Sequence, residues 1–230
     1  GEAEPVLADL VALFRAWRSG RGTRHEFLAE VRKIGGVYVP AWFKVSYHPG
    51  GTIAAVEPTF DDYRTVRKAV VPVLDQGAPL PERPLVPLLD VVHNRLSIEI
   101  GRGCTRGCRF CQAGFVYRPV RERSSGLILE NARRALSASG FEEVSLLSLS
   151  AGDYCQIQPL LAALMERLAE DRVAVSFPSM RVGTLTPELM ELVKRVRKTG
   201  FTLAPEAGSE RLRRVINKNI REEDLLATSQ

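Results

Sequence analysis

The sequence has no run approaching the roughly 20 apolar residues that a membrane-spanning helix needs, which argues against a membrane-embedded chain. It begins Gly1-Glu2-Ala3-Glu4, without the basic start and apolar stretch of a secretory signal, so a cytoplasmic location is the expectation. No internal repeat and no low-complexity segment is present. Cysteine is scarce: there are 4 in 230 residues, and three of them crowd into one short segment. A disulfide framework would spread an even set through a small secreted chain, so this clustering favours a metal or cluster site in a reducing compartment.

What is present is the profile of an ordinary globular chain, 45% hydrophobic and 26% charged, long enough to bury a core. The net charge of +5 is compatible with a nucleic-acid substrate, although basic and acidic residues are interleaved as on any solvated surface.

The first part of the chain reads as two helices and a hairpin. Leu7, Leu10, Val11, Leu13 and Phe14 recur at helical spacing and predict a helix over 5–19, stopped by Gly20 and Gly22. A shorter helix is expected over 25–34. Strands are expected over 37–39, 43–47 and 52–56, with Pro49-Gly50-Gly51 turning between the last two. Pro72, Pro79, Pro81, Pro84 and Pro87 mark an extended connector. Its Val71, Leu74, Leu85, Val86, Leu88 and Leu89 suit contact with a neighbouring surface.

From residue 96 strands and helices alternate. Strands are expected over 96–100, 143–149, 173–177 and 201–204. Helices are expected over 126–138 and 159–169, from Thr186-Pro187 to Gly200, and from Ser209. Alternation at this spacing implies parallel strands with crossover connections. The fold class expected is therefore α/β, a partial (β/α) barrel of about four units, preceded by a small α+β linker region over 1–95. A further helix beginning at 222 suggests that the core, 96–230, is incomplete at its C-terminal end.

The chemistry concentrates in Gly103-Cys104-Thr105-Arg106-Gly107-Cys108-Arg109-Phe110-Cys111. Three thiolates spaced in this way can converge from one tight loop onto three irons of a cube, and glycines let the backbone amides approach the sulfides. Three ligands leave one iron open, as a reactive metal site requires. The alternatives are a structural zinc site, with Cys155 or a distant histidine as fourth ligand, and three core cysteines. Cys155 itself suits either a place near the pocket or the role of a small buried hydrophobe. Arg118, Arg121 and Arg123 either face an anionic substrate or form a solvated lead-in to the next helix.

The cysteine motif, directly after the first strand of a βα series, resembles the radical S-adenosylmethionine (SAM) superfamily. The resemblance implies a 4Fe-4S cluster on Cys104, Cys108 and Cys111 and SAM chelated to the open iron. It also implies reductive cleavage of SAM to a 5′-deoxyadenosyl radical, which abstracts hydrogen from substrate, and a flavodoxin- or ferredoxin-like electron donor. Phe110 stands in the slot that packs beside the adenine. Ser150-Ala151-Gly152-Asp153 resembles the segment whose backbone and acid hold the SAM ammonium, with aspartate in place of the usual glutamate. For Asp153 a helix N-terminal acid is the other reading. Ser179-Met180-Arg181 offers Arg181 to the SAM carboxylate or a substrate anion, a surface arginine being the alternative. Ala204-Pro205-Glu206-Ala207-Gly208 resembles the ribose-binding segment, with Glu206 accepting from the hydroxyls. All lie at C-terminal strand ends, where barrel enzymes build their sites.

Gly1-Glu2-Ala3-Glu4 resembles the Gly-Glu-x-Glu segment that ends the cobalamin-binding-like domain of cobalamin-type radical SAM proteins, and residues 103–124, 148–154 and 203–218 together resemble one bacterial branch of that group, in which such a domain, a linker and a radical domain are fused. No Asp-x-His-x-x-Gly motif is present, so cobalamin binding by this chain is not expected. The resemblance leaves the substrate open among RNA, protein and small metabolites. A non-catalytic zinc or electron-transfer cluster module is the competing class.

Overall fold

The computed structural model describes residues 2–89, 91–177, 180–184, 186–194, 196 and 203–229. The chain divides into two compact units, Gly1–Pro72 and Val73–Gln230.

The first unit contains helices α1 (Leu7–Ser19) and α2 (Arg24–Val31) and a hairpin of β1 (Phe43–Tyr47) and β2 (Ile53–Pro58). A capping box starts α2: the Thr23 hydroxyl accepts from Glu26 N–H, and the Glu26 carboxylate accepts from Thr23 N–H. Val31, Val39, Trp42 and Tyr63 form a small core, with Leu10, Leu13 and Phe27 against it. The strands pair antiparallel. Residues 37–39, expected as a strand, are irregular. The Tyr63 hydroxyl donates to Val37 O (2.7 Å) and accepts from Val39 N–H (3.0 Å), so one side chain satisfies groups that a neighbouring strand would otherwise pair.

The second unit opens with the proline-rich segment and a single-turn helix, α3 (Leu74–Gly77). Part of the segment is anchored. Leu74 is buried, its carbonyl accepts from the Arg123 guanidinium (2.8 Å), and Pro81 O accepts from Asn131 (3.1 Å). Val71, at the end of the first unit, is buried as well, but Leu85, Val86, Leu88 and Leu89 are exposed rather than packed on a surface.

Strand β3 (Leu96–Glu99) is followed by a two-residue ribbon of β4 (Gly101–Arg102) with β5 (Arg121–Glu122), which encloses the short helix α4 (Ala113–Val116). Then come α5 (Ser125–Ser139), β6 (Glu143–Leu147), α6 (Ile157–Leu168), β7 (Ala174–Ser176), α7 (Pro187–Lys194), α8 (Glu210–Val215) and α9 (Glu222–Ser229). The order β3-β6-β7 is parallel throughout, with Ile98 opposite Leu146 and Val144 opposite Val175. This is the expected α/β architecture of an open, partial barrel. Residues 201 and 202 of the fourth expected strand, and Gly200 before it, lie outside the described residues; Leu203 and Ala204 are irregular.

Helical spacing decides which faces the core takes. Helix α6 buries Ile157, Leu160, Leu161, Leu164, Met165 and Leu168, an i, i+3, i+4, i+7 stripe. Helix α5 buries Ile128, Ala132 and Ala135 against Ile98, Val144 and Leu146. Thr186 caps α7 through Leu189 N–H (3.3 Å), and Ser209 caps α8 through Leu212 N–H (3.3 Å). Tyr154, just past β6, donates its buried hydroxyl to Arg123 O (2.8 Å), and burial pushes its pKa up to about 12. Tyr154→Phe should therefore lower stability by about 1 kcal/mol, read as a lower urea midpoint with unchanged slope.

Candidate active site at the strand ends

The cysteine loop is tied at both ends. After β3 the Ile100 amide donates to Leu147 O (2.9 Å), and the chain enters the β4–β5 ribbon, so residues 103–120 form one closed excursion beyond the parallel sheet. Gly103 opens it with φ +91; a Cβ there would stand 2.6 Å from Tyr117 O and 2.9 Å from Pro119 O. Both the backbone angle and the space exclude a side chain.

Cys104, Cys108 and Cys111 are free thiols, each partly exposed. Arg106 N–H points at the Cys104 sulfur and Gly114 N–H at the Cys111 sulfur, each at 3.4 Å. Backbone amides aimed at sulfur stabilise added electron density there, so the donor set fits an iron–sulfur cluster. Among the described residues, no three His, Cys, Asp or Glu side chains are grouped around a single ion. Three thiols serving three separate irons need not meet at one point.

Of the other candidates, Phe110 lies on this loop and Asp153 bonds to it, whereas Glu206 and Arg181 bond to Lys218 outside it. Asp153 lines a cleft of about 60 Å³ with Gly103, Cys104, Thr105, Ser148 and Ser150. Its carboxylate accepts two hydrogen bonds from Arg106, one at 2.7 Å. Burial pushes the Asp153 carboxyl up, but hydrogen bonds from Arg106 and Ser150 outweigh it and hold the pKa below the ordinary value. The same bond raises the Arg106 pKa. Gly152 packs where a Cβ would run into the Thr184 side chain.

Glu206, exposed and with φ +68, pairs with Lys218 (3.1 Å), and the Lys218 ammonium lies 5.8 Å from the centre of the Phe110 ring. Phe110 is about half exposed. Arg181 is not a free surface cation: it donates to Lys218 O (2.8 Å) and Asn219 O (3.4 Å), and its charge acts on Asp153. Ser179 lies outside the described residues.

Two expectations change. Arg121 and Arg123 neither face a substrate nor form a solvated lead-in. Arg121 is buried on Pro119 O and Tyr117 O, and Arg123 on Leu74 O and Glu99 O. Only Arg118 of the three is exposed, 5.0 Å from the Phe115 ring. Cys155 is not a buried hydrophobe but exposed; its amide donates to Glu122 (3.0 Å), and a hydrogen bond to that carboxylate raises the thiol pKa. Sequence reasoning also missed Arg106 as the partner of Asp153, and Asn217, whose amide donates to Gly107 O (2.8 Å). Neither contact has a local signal, since the partners are 47 and 110 residues apart.

The radical SAM superfamily profile matches residues 98–229, more than half of the chain. The chain belongs to this superfamily, a family of enzymes. Membership implies a 4Fe-4S cluster and SAM as cofactors, together with an electron donor and a substrate.

Among curated proteins, the uncharacterised protein MJ0966 of Methanocaldococcus jannaschii is 42% identical over 128 residues, 56% of this chain and 27% of that protein. The threonylcarbamoyladenosine tRNA methylthiotransferase MtaB of Treponema pallidum is 26% identical over 130 residues, 53% of this chain and 26% of that protein. The tRNA-2-methylthio-N(6)-dimethylallyladenosine synthase of Citrifermentans bemidjiense is 26% identical over 141 residues, 56% of this chain and 31% of that protein. The chain thus spans only about a quarter to a third of the length of these relatives. Among solved structures, the apo, selenomethionine-labelled cobalamin-dependent S-adenosylmethionine radical enzyme OxsB matches with a TM-score of 0.54 at 16% identity. The match covers 97% of this chain and 29% of that one, a likeness of fold. Among the described residues, no helix is long and apolar enough to cross a membrane.

Proposed function

We propose that Cys104, Cys108 and Cys111 hold the cluster of an enzyme that reductively cleaves SAM and abstracts hydrogen from its substrate. The observation that carries this reading is the cysteine loop itself: three free, partly exposed thiols on one tied excursion, with Asp153 bonded to it through Arg106. When bound, the cluster supplies the electron that breaks the SAM sulfonium bond, leaving methionine and a 5′-deoxyadenosyl radical.

The chain's own residues bind and orient. Asp153 and the Gly152 backbone take the SAM ammonium, Arg181 the carboxylate, Glu206 the ribose hydroxyls, and Phe110 packs on the adenine. In this reading the ammonium and the carboxylate of SAM each meet an opposite charge and the ribose meets an acceptor, which would hold SAM in one orientation relative to the thiols.

For the substrate we favour RNA. Two relatives at 26% identity carry tRNA in their names, and the chain has a net charge of +5. Residues 1–95 are read as the linker that follows a cobalamin-binding-like domain, and 96–230 as the radical core. A flavodoxin- or ferredoxin-like protein supplies the electron, in the cytoplasm.

The test is anaerobic reconstitution of the full-length protein, then incubation with SAM and dithionite. Four irons per chain and release of 5′-deoxyadenosine are expected, with several-fold more product when total tRNA is added. One bound zinc, or a cluster indifferent to SAM, would instead establish a non-catalytic module. No response to tRNA would move the substrate to protein or small molecules.

A further inference from the structure

The segment after Glu206 is built to hold something in place. Arg213 is 2% exposed, and its guanidinium donates to Ala207 O (3.0 Å), Gly208 O (2.8 Å) and Ile220 O (2.7 Å). A buried arginine satisfied by three carbonyls ties residues 207–220 together around α8.

That loop grips the cysteine loop at two points. Arg109 N–H donates to Ile216 O (3.0 Å), and the Arg109 guanidinium donates to Val215 O (2.6 Å). Asn217 donates its side-chain amide to Gly107 O at 2.8 Å and to Arg106 O at 3.4 Å. Both carbonyls lie between Cys104 and Cys108.

The two ends of the Asn217 contact are matched. Asn217 has φ 57, a left-handed conformation that asparagine tolerates better than most residues. Gly107 has φ +68, and a Cβ there would stand 3.2 Å from the Asn217 amide nitrogen. A side chain at 107 would strain the backbone and push the amide away.

The consequence is directional. In a trans peptide the C=O and N–H point opposite ways. By holding the carbonyls of Arg106 and Gly107, Asn217 turns the N–H groups of Gly107 and Cys108 to the other side of the loop. Successive N–H groups around a left-handed residue form an anion-binding concavity. The preceding amide, Arg106 N–H, already faces the Cys104 sulfur at 3.4 Å.

We infer that Asn217 is a positioning residue for the cluster: through two carbonyls it aims the Gly107 and Cys108 amides at the cluster held by the three cysteines. The inference rests on the assignment of Cys104, Cys108 and Cys111 as the cluster ligands.

The test uses the full-length protein with Asn217→Asp and Asn217→Gly. Aspartate keeps the size and accepts the left-handed backbone, but presents an oxygen to the two carbonyls. Glycine keeps the backbone and removes the amide. Residues that orient metal ligands typically change affinity by about 10- to 100-fold, so iron retention against a graded chelator should fall by that factor in both variants. Loss of oriented N–H groups should also move the cluster midpoint potential to more negative values, with far-UV circular dichroism unchanged. A folded Asn217→Asp protein that keeps iron within twofold of wild type at an unchanged potential overturns the inference. Should the aspartate variant not fold, the glycine variant decides by the same two readings. A wild-type protein that takes up no cluster sinks the ligand assignment and this inference together, whereas normal loading of wild type and both variants sinks only the inference.

Discussion

Replacing Cys104, Cys108 or Cys111 with alanine should leave the full-length protein without a cluster, whereas replacing Cys155 should leave its iron content intact. The thiolate is the iron ligand, and two thiolates cannot hold three irons of a cube. The loop also spends backbone groups on these sulfurs, with Arg106 N–H on Cys104 and Gly114 N–H on Cys111. Cys155 lies off this loop. It is exposed, and a hydrogen bond to Glu122 raises its pKa, so it stays a thiol at pH values where a ligand has to be a thiolate. Iron and sulfide content after anaerobic reconstitution, read beside the visible spectrum of each variant, checks this directly. Loss of iron from the Cys155→Ala protein would favour a four-cysteine site and revive the zinc alternative.

How much of this was legible depends on the range of the interaction. The stripe on α6 and the alternation from β3 onward are local patterns, and the parallel order β3-β6-β7 follows from them. The 43–47 strand of the hairpin was legible for the same reason, and its partner runs two residues further than expected, to Pro58. Residues 37–39 were misread because their polar groups are satisfied by the Tyr63 hydroxyl, a partner 24 to 26 residues away with no spacing signature. Arg121 and Arg123 were misread for a related reason. Arginine is rarely buried unless its donors are met, and the carbonyls that meet them belong to turns the sequence does not announce. At the site, the positions of the cysteine loop and of Asp153 were readable because chain alternation puts the segments after β3 and β6 at one end of the parallel sheet, whereas no described strand directly precedes Glu206. What could not be read is which cation meets which acid: Arg106 with Asp153, and Lys218 with Glu206.

The Arg106–Asp153 pair leads to the second large effect. Asp153→Asn should weaken SAM binding by roughly ten- to hundredfold while leaving iron content unchanged, since a charged hydrogen bond is worth about 1.5–3 kcal/mol when buried and the proposed iron ligands are the three cysteines alone. The carboxylate is not waiting empty, because Arg106 already occupies it. If the SAM ammonium takes the same oxygens, the two cations compete, and removing the resident one should help. The Arg106 side chain is 40% exposed, so solvent screens the pair and its worth falls to about 0.2–1 kcal/mol. Arg106→Gln should therefore tighten SAM binding, by up to about fivefold. The pH dependence has a fixed sign. The depressed Asp153 pKa means that the pair contributes above the ordinary carboxylate range and is lost as pH falls through the lower, folded value. Titration of each reconstituted variant with SAM, beside its iron content, separates the outcomes. Unchanged affinity in Asp153→Asn would remove Asp153 from the SAM site. Equal weakening in Asp153→Asn and Arg106→Gln would show the two acting as one unit that shapes the loop, with the ammonium bound elsewhere.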